Sequence, residues 1–257
     1  MTSEGGPRRR IKTADTVIDI FETLRELDGA TTAELAAELD VATSTAHGYL
    51  STLHDREFLV NDDGTYRVGL RSLDFGMYAK SRIAATEVVP RTLEQLADET
   101  EELVWFTVEE HGRAIDVEKA AGERAVTVGT WVGKRKLMHH LAGGKAILAH
   151  LPERRIRGII DRHGLPKRTE NTITDPAELF DELEQIRSTN IAFNDEETAS
   201  GVRSVGTPIV VDGTPVGAIV ISGPAKRMKG DRFRETMPDL LLAASNEVEL
   251  KLRPGRS

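Results

Sequence analysis

Apolar positions near the start of the chain recur every three or four residues. Val17, Phe21, Leu24 and Leu27 share one face of a helix that begins at Ile11. Asp28-Gly29 ends it, glycine being the usual terminator. Thr31-Thr32-Ala33-Glu34 has the spacing of a capping box, so a second helix starts there and turns Leu35, Ala36 and Leu39 inward. Asp40-Val41-Ala42 makes a tight turn. A third helix from Thr43 to about Arg56 buries Ala46, Leu50 and Leu53. Phe58-Leu59-Val60 and Thr65-Tyr66-Arg67-Val68 then read as strands joined across Asp63-Gly64, a hairpin dipeptide. Helix, helix, turn, helix, hairpin is the order of a winged helix-turn-helix.

The pattern continues with Leu73, Met77 and Ile83 on a linker helix, suited to pairing two chains. Val88-Val89-Pro90 is expected to interrupt it before Leu93 and Leu96 resume on an acidic helix ending near Thr100. After Glu102 the period becomes two. Residues 103–108, 114–119 and 126–131 are predicted strands. Gly143-Gly144-Lys145 opens a short helix to Leu151, and another starts at Pro152-Glu153 and stops before Gly164. Asp175-Pro176 caps a helix that buries Leu179, Leu183 and Ile186. Residues 205–211 and 216–222 form a hairpin across Asp212-Gly213. A last helix uses Phe233, Met237, Leu241, Ala244 and Val248. The fold class is α+β. The divisions are a basic tail at 1–10, a winged helix-turn-helix at 11–70, a linker helix at 71–84 and an antiparallel sheet flanked by helices at 85–257.

The 257 residues include no cysteine, which removes disulfides and thiolate chemistry together. No apolar run is long enough for a membrane span, and the polar, basic start lacks a signal region, so a cytoplasmic protein is expected. The net charge is −8, and residues 1–72 carry eight Lys/Arg against thirteen Asp/Glu. Affinity for DNA normally comes from neutralised phosphates. Binding must therefore rely on a local positive rim: the tail through Lys12, with Arg56, Arg67 and Arg71. A surface this acidic suits a cell interior high in salt and predicts a shallow dependence of affinity on salt.

The outward face of the third helix carries Ser44, Thr45, His47, Gly48, Ser51 and Thr52, short groups able to approach base edges in a major groove. The expected DNA contacts are Arg10 and Arg67 from the rim, Thr32 from the second helix, and Thr43, Ser44, Thr45, His47 and Tyr49 from the third. Serines and threonines also dress ordinary solvated helices, which is the competing explanation.

Four stretches together resemble the IclR family of transcription regulators over nearly the whole chain. They are Ala42-Thr43-Ser44-Thr45-Ala46-His47; Tyr66-Arg67-Val68-Gly69-Leu70 with Leu73 and Gly76; residues 139–149 around Gly143-Gly144-Lys145; and Glu196-Glu197, Gly201-Val202-Arg203-Ser204-Val205 and residues 218–224. The resemblance implies a GAF-like effector domain, pairing into dimers or dimers of dimers, a palindromic double-stranded operator and an organic-acid or sugar-acid effector. The family often has Lys where Thr43 stands and Arg where Gly48 stands, and both differences remove phosphate contacts. Carried over by position, the effector contacts fall on Ala142 and Gly143, whose backbone N–H groups would meet a carboxylate, and on Asn194, Ser204, Val220 and Ser222. Asn194 replaces an acid, Ser204 a common Cys, and Val220 a serine.

Other motifs fail. Gly144-Lys145 lacks the earlier glycine and the following Ser or Thr of a phosphate loop. His139-His140 reads as one core and one surface histidine on a strand, with no metal. Trp105 and Trp131 read as core or pocket wall. No nucleophile elbow surrounds any serine, so neither catalysis nor a cofactor is expected. An enzyme or binding module with an accessory helix-turn-helix stays open, as does a helix-turn-helix used for protein contacts.

Overall fold

The computed structural model describes residues 10–126 and 129–253. They belong to two units, Met1–Ala79 and Lys80–Ser257, and the division falls inside a helix. The expected tail lies almost wholly outside the described residues.

The first unit contains α1 (Lys12–Glu26), β1 (Ala30–Thr31), α2 (Thr32–Glu38), α3 (Thr43–Asp55), β2 (Leu59–Asp62) and β3 (Thr65–Val68). The capping box forms: Thr31 N–H donates to Glu34 Oε2 at 2.8 Å, and Glu34 N–H donates to Thr31 Oγ1 at 3.3 Å. The wing turns at Asp63 and Gly64, both with positive φ, as a two-residue hairpin requires. β3 pairs with β2 on one side and with the short β1 on the other. Ile20, Leu24, Leu35, Leu50 and Leu59 build the core. Two helix-face assignments need correction. Ile20 takes the buried position, Val17 is half-buried, and Leu27 is 48 % exposed. Leu27 is the C-cap of α1, and the chain turns away at Asp28 (φ 54), so the stripe ends before it.

α4 (Arg71–Ser81) buries none of its residues. The break after it comes at residues 82–84, not at Pro90. α5 (Ala85–Thr100) runs straight through Pro90. Proline there removes one N–H near the start of a helix, and buried Val89 and Leu93 on either side hold the helix in place.

The second unit continues with β4 (Leu103–Glu110), β5 (Arg113–Ala121), β6 (Arg135–Leu137), α6 (Ala142–Leu148), α7 (Glu153–His163), α8 (Pro176–Thr189), β7 (Ala192–Asp195), β8 (Val202–Val211), β9 (Thr214–Pro224) and α9 (Met237–Leu252), which a single π-turn at Arg232–Thr236 introduces. One antiparallel sheet takes the order β6-β5-β4-β9-β8-β7. Alternation sends Val104, Phe106, Val205, Ile219 and Ile221 into a core with α5 and α9. Leu103, Trp105, Ala218 and Val220 face the opposite core, with α6 and α8. The strand expected at 126–131 is absent among the described residues, 127–128 lying outside them, and the third strand is β6. Gly133, with φ 91, donates to Asp116 O at 2.7 Å and turns the chain into it. β7 was not predicted; four residues with two apolar positions carry too little periodicity.

Candidate functional site

The DNA-facing surface expected from the sequence is α3 and its surroundings. Thr43, Ser44, Thr45, His47 and Gly48 are exposed, and Gly48 has open space where a side chain would stand. Thr52 Oγ1 donates back to Gly48 O at 2.7 Å, so that hydroxyl proton is used within the helix. Tyr49 is turned the other way and packs half-buried against the unit's core with Leu53. Thr32 is half-buried at the start of α2. Arg67 is exposed but ion-paired with Asp62 at 3.5 Å. Arg10 and Arg71 are likewise tied to acids, Arg10 to Asp15 at 2.8 Å and Arg71 to Glu57 at 3.5 Å.

In the second unit, all six effector positions carried over from the family line one cavity of about 50 Å³. Its geometry follows from sheet register. Ser204 is paired with Ser222 across β8 and β9, and Val220 stands two residues along on the same face. The serine hydroxyls lie 2.9 Å apart, so one donates to the other and one proton is left over. Helix α6 closes the cavity from above because glycines let it come down onto the sheet. A Cβ on Gly206 would sit 3.0 Å from the Ala142 backbone, and one on Gly143 would sit 2.6 Å from Val220. A Cβ on Gly144 would lie 2.2 Å from the Met138 carbonyl. The double glycine is thus a packing requirement.

Asn194 lines the cavity, but its side chain is largely occupied. Its Oδ1 accepts from Glu197 N–H at 2.8 Å, and its Nδ2 donates to Thr198 Oγ1 at 2.9 Å. It holds the turn that carries Glu197. Lys145 of α6 is 1 % exposed and donates to Glu197 Oε1 at 2.6 Å and Glu182 Oε1 at 3.0 Å. Burial raises the Glu197 carboxyl above the usual range, against the pull of Lys145. His139 and His140 are both buried, in a turn rather than on a strand, which corrects the expectation of one surface ring. Burial, reinforced by His139 and Arg168, lowers His140 to about 4. Trp105 is buried against the cavity, whereas Trp131 is 48 % exposed and forms no part of its wall.

Sequence reasoning missed the charged part of the cavity. Asp116 has a side chain 1 % exposed, accepts from Thr107 Oγ1 at 2.8 Å and pairs with Lys136 Nζ at 2.5 Å. Thr107 and Asp116 are register partners at a β-bulge between β4 and β5, and bulges re-aim side chains. One signal was present: Ala114-Ile115-Asp116-Val117 places an acid among strand residues that are otherwise apolar. Among the described residues no group of His, Asp and Glu is arranged to hold a metal, and no helix is long and apolar enough to cross a membrane.

Comparison with known proteins agrees in both units. Residues 78–249 match the C-terminal domain of bacterial IclR regulators, and residues 13–63 match the IclR helix-turn-helix domain. A probable ArcR regulator of Halobacterium salinarum is 31 % identical over 97 % of this chain and 97 % of its own length. The transcriptional repressor IclR of Escherichia coli is 28 % identical, covering 91 % and 87 %. The crystal structure of the Thermotoga maritima IclR protein superposes with a TM-score of 0.78 at 26 % identity, covering 95 % of this chain and 99 % of that one. An IclR homologue from Microbacterium hydrocarbonoxydans in complex with 4-hydroxybenzoate shares the fold, with a TM-score of 0.76 at 21 % identity over 88 % of this chain and 92 % of that one. With both domain models and a full-length relative in agreement, the chain belongs to the IclR family of transcriptional regulators.

Proposed function

We propose that the exposed row of α3 reads an operator while the cavity beneath α6 binds a short-chain carboxylate that changes operator affinity. The observation that carries this reading is the convergence of one lysine and two serine hydroxyls on a small cavity whose other polar groups, Asp116, Thr107 and Asn194, already hold hydrogen bonds within the protein. Lys136 spends one proton on Asp116 and keeps others for an incoming anion. Ser204 and Ser222 share one hydrogen bond and keep one donor. A water needs about 10–15 Å³ of such space, so the cavity takes the volume of about four waters. That favours acids of about two to four carbons over sugar acids and over aromatic acids such as the 4-hydroxybenzoate bound by the Microbacterium homologue. A ligand drawing Lys136 away from Asp116 would favour one state of the domain, and two chains paired through α4 would convert that shift into a different spacing of their recognition helices.

The test is a thermal-shift screen of the full chain with acetate, pyruvate, malonate and succinate, and with gluconate and 4-hydroxybenzoate for contrast. A binder of the folded state raises the melting temperature. At least one short acid should do so, and the same acid should change retardation of DNA from upstream of the chain's own gene. Lys136→Met should abolish the shift, Ser204→Ala with Ser222→Ala should weaken it, and Asp116→Asn should strengthen it. A panel without effect, or a shift that Lys136→Met leaves intact, overturns the proposal.

A further inference from the structure

A second, larger cleft lies at the other end of α6. It measures about 350 Å³ and is bordered by His150, by the β8–β9 turn and by α9. Its chemistry is polar. His150 Nε2 is buried and has no hydrogen-bond partner among the described residues. Native interiors seldom leave such an atom unpaired. Glu249 and Asp212 bring two carboxylates to the lining, and Arg253 brings one guanidinium. Glu249 uses Oε1 to accept Val210 N–H at 2.8 Å, which fixes the carboxylate and leaves its second oxygen available. Leu242 and Val210 supply an apolar patch between the charged groups.

We propose that this cleft binds a free α-amino acid. The ammonium group matches the two carboxylates, the carboxylate matches Arg253, and an acceptor or donor of the ligand completes His150 Nε2. The lining carries one more negative than positive charge, which disfavours a simple anion and separates this cleft from the cavity around Lys136. The two sites are mechanically joined. Buried α6 begins at Ala142 in the first cavity, and His150 in the second stands two residues past its end, about 12 Å along a helical rise. β8 likewise carries Ser204 at one site and Val210 at the other. Occupation of the cleft therefore alters affinity for the carboxylate, and the reverse holds by linkage. That coupling rests on the effector reading above; amino-acid binding does not.

The experiment is calorimetric titration of the full chain, without DNA or organic acid, using L-alanine, L-glutamate, L-arginine and L-ornithine, with acetate and putrescine as controls. At least one amino acid should bind at millimolar or lower concentration, more tightly than either control. Glu249→Gln keeps the Val210 contact and should raise the dissociation constant more than tenfold, as should His150→Leu. Lys167→Ala, at an exposed side chain that borders neither site, should leave it unchanged, and circular dichroism of each variant establishes that it is folded. Failure of all four amino acids to bind, or binding unaffected by both Glu249→Gln and His150→Leu, overturns the proposal. Amino-acid binding without any change in carboxylate affinity overturns the coupling alone.

Discussion

His140, next in the chain to cavity-lining Leu141, concentrates a pH-dependent part of the stability in one buried ring. Its Nδ1 lies 3.1 Å from the Thr198 hydroxyl, which donates to the His140 carbonyl at 2.8 Å. That arrangement suits a neutral ring with its proton on Nδ1. Burial lowers the ring to about 4 from an ordinary 6.5. The unfolded chain takes up a proton on this ring near pH 6.5 and the folded chain does not. The contribution to stability is therefore complete above pH 6.5 and is lost as pH falls toward 4, amounting to about 3 kcal/mol over the window. Glu197 works in the opposite sense. Its raised carboxyl favours folding below the ordinary carboxylate range and loses that contribution as pH rises. Urea unfolding at pH 7 and pH 4.5 separates the two: His140→Gln should lose markedly less stability across the interval than the parent chain. Equal losses would mean that the ring stays solvated.

At the scale of elements, single residues at helix starts decide where α-helical segments begin. Asp175 accepts from Ala177 N–H at 2.9 Å and Glu178 N–H at 3.1 Å, with Pro176 at the first helical position. Removing those acceptors leaves two amides of α8 unpaired. Asp175→Ala should cost about 1 kcal/mol of unfolding free energy, and Asp175→Asn should restore most of it. Denaturant titration checks both, and an Asp175→Ala chain as stable as the parent would refute the cap. α8 also delivers Glu182 to Lys145, so the cap and the buried ion pair position the same helix against α6.

For the whole molecule, charge distribution governs association with DNA. Arg10, Arg67 and Arg71 are each paired with a carboxylate of the same chain. Among the described residues of the rim few cations are then left to displace counterions, so the logarithm of operator affinity should fall with the logarithm of salt at a slope of magnitude below about 3 per chain. Fluorescence anisotropy between low and molar potassium chloride measures it, and a slope several times steeper would contradict the picture. Repeating the titration with Leu73→Glu and Met77→Glu tests pairing through α4, where both side chains are more than half exposed. The substitutions should shift sedimentation toward the monomer and weaken operator binding.

The sequence alone determined whatever depends on neighbours within about four residues. The capping box at Thr31, the hairpin at Asp63-Gly64, the Asp175 cap and the apolar runs of β8 and β9 around Asp212-Gly213 all obey local rules, and the element order that they spell out already resembled the family. The tertiary structure decided the rest. Asp116 meets Lys136 twenty residues away only because β6 pairs antiparallel with β5, which sets Lys136 opposite Ala114 and two places from Asp116 on the same face. Lys145 finds Glu197 fifty-two residues away only because glycines let α6 descend onto the sheet. Both histidines are buried for the same reason: a two-residue motif has no knowledge of what packs above it. Charge pairing and burial are properties of contacts distant along the chain, and no local periodicity encodes which distant residue will arrive.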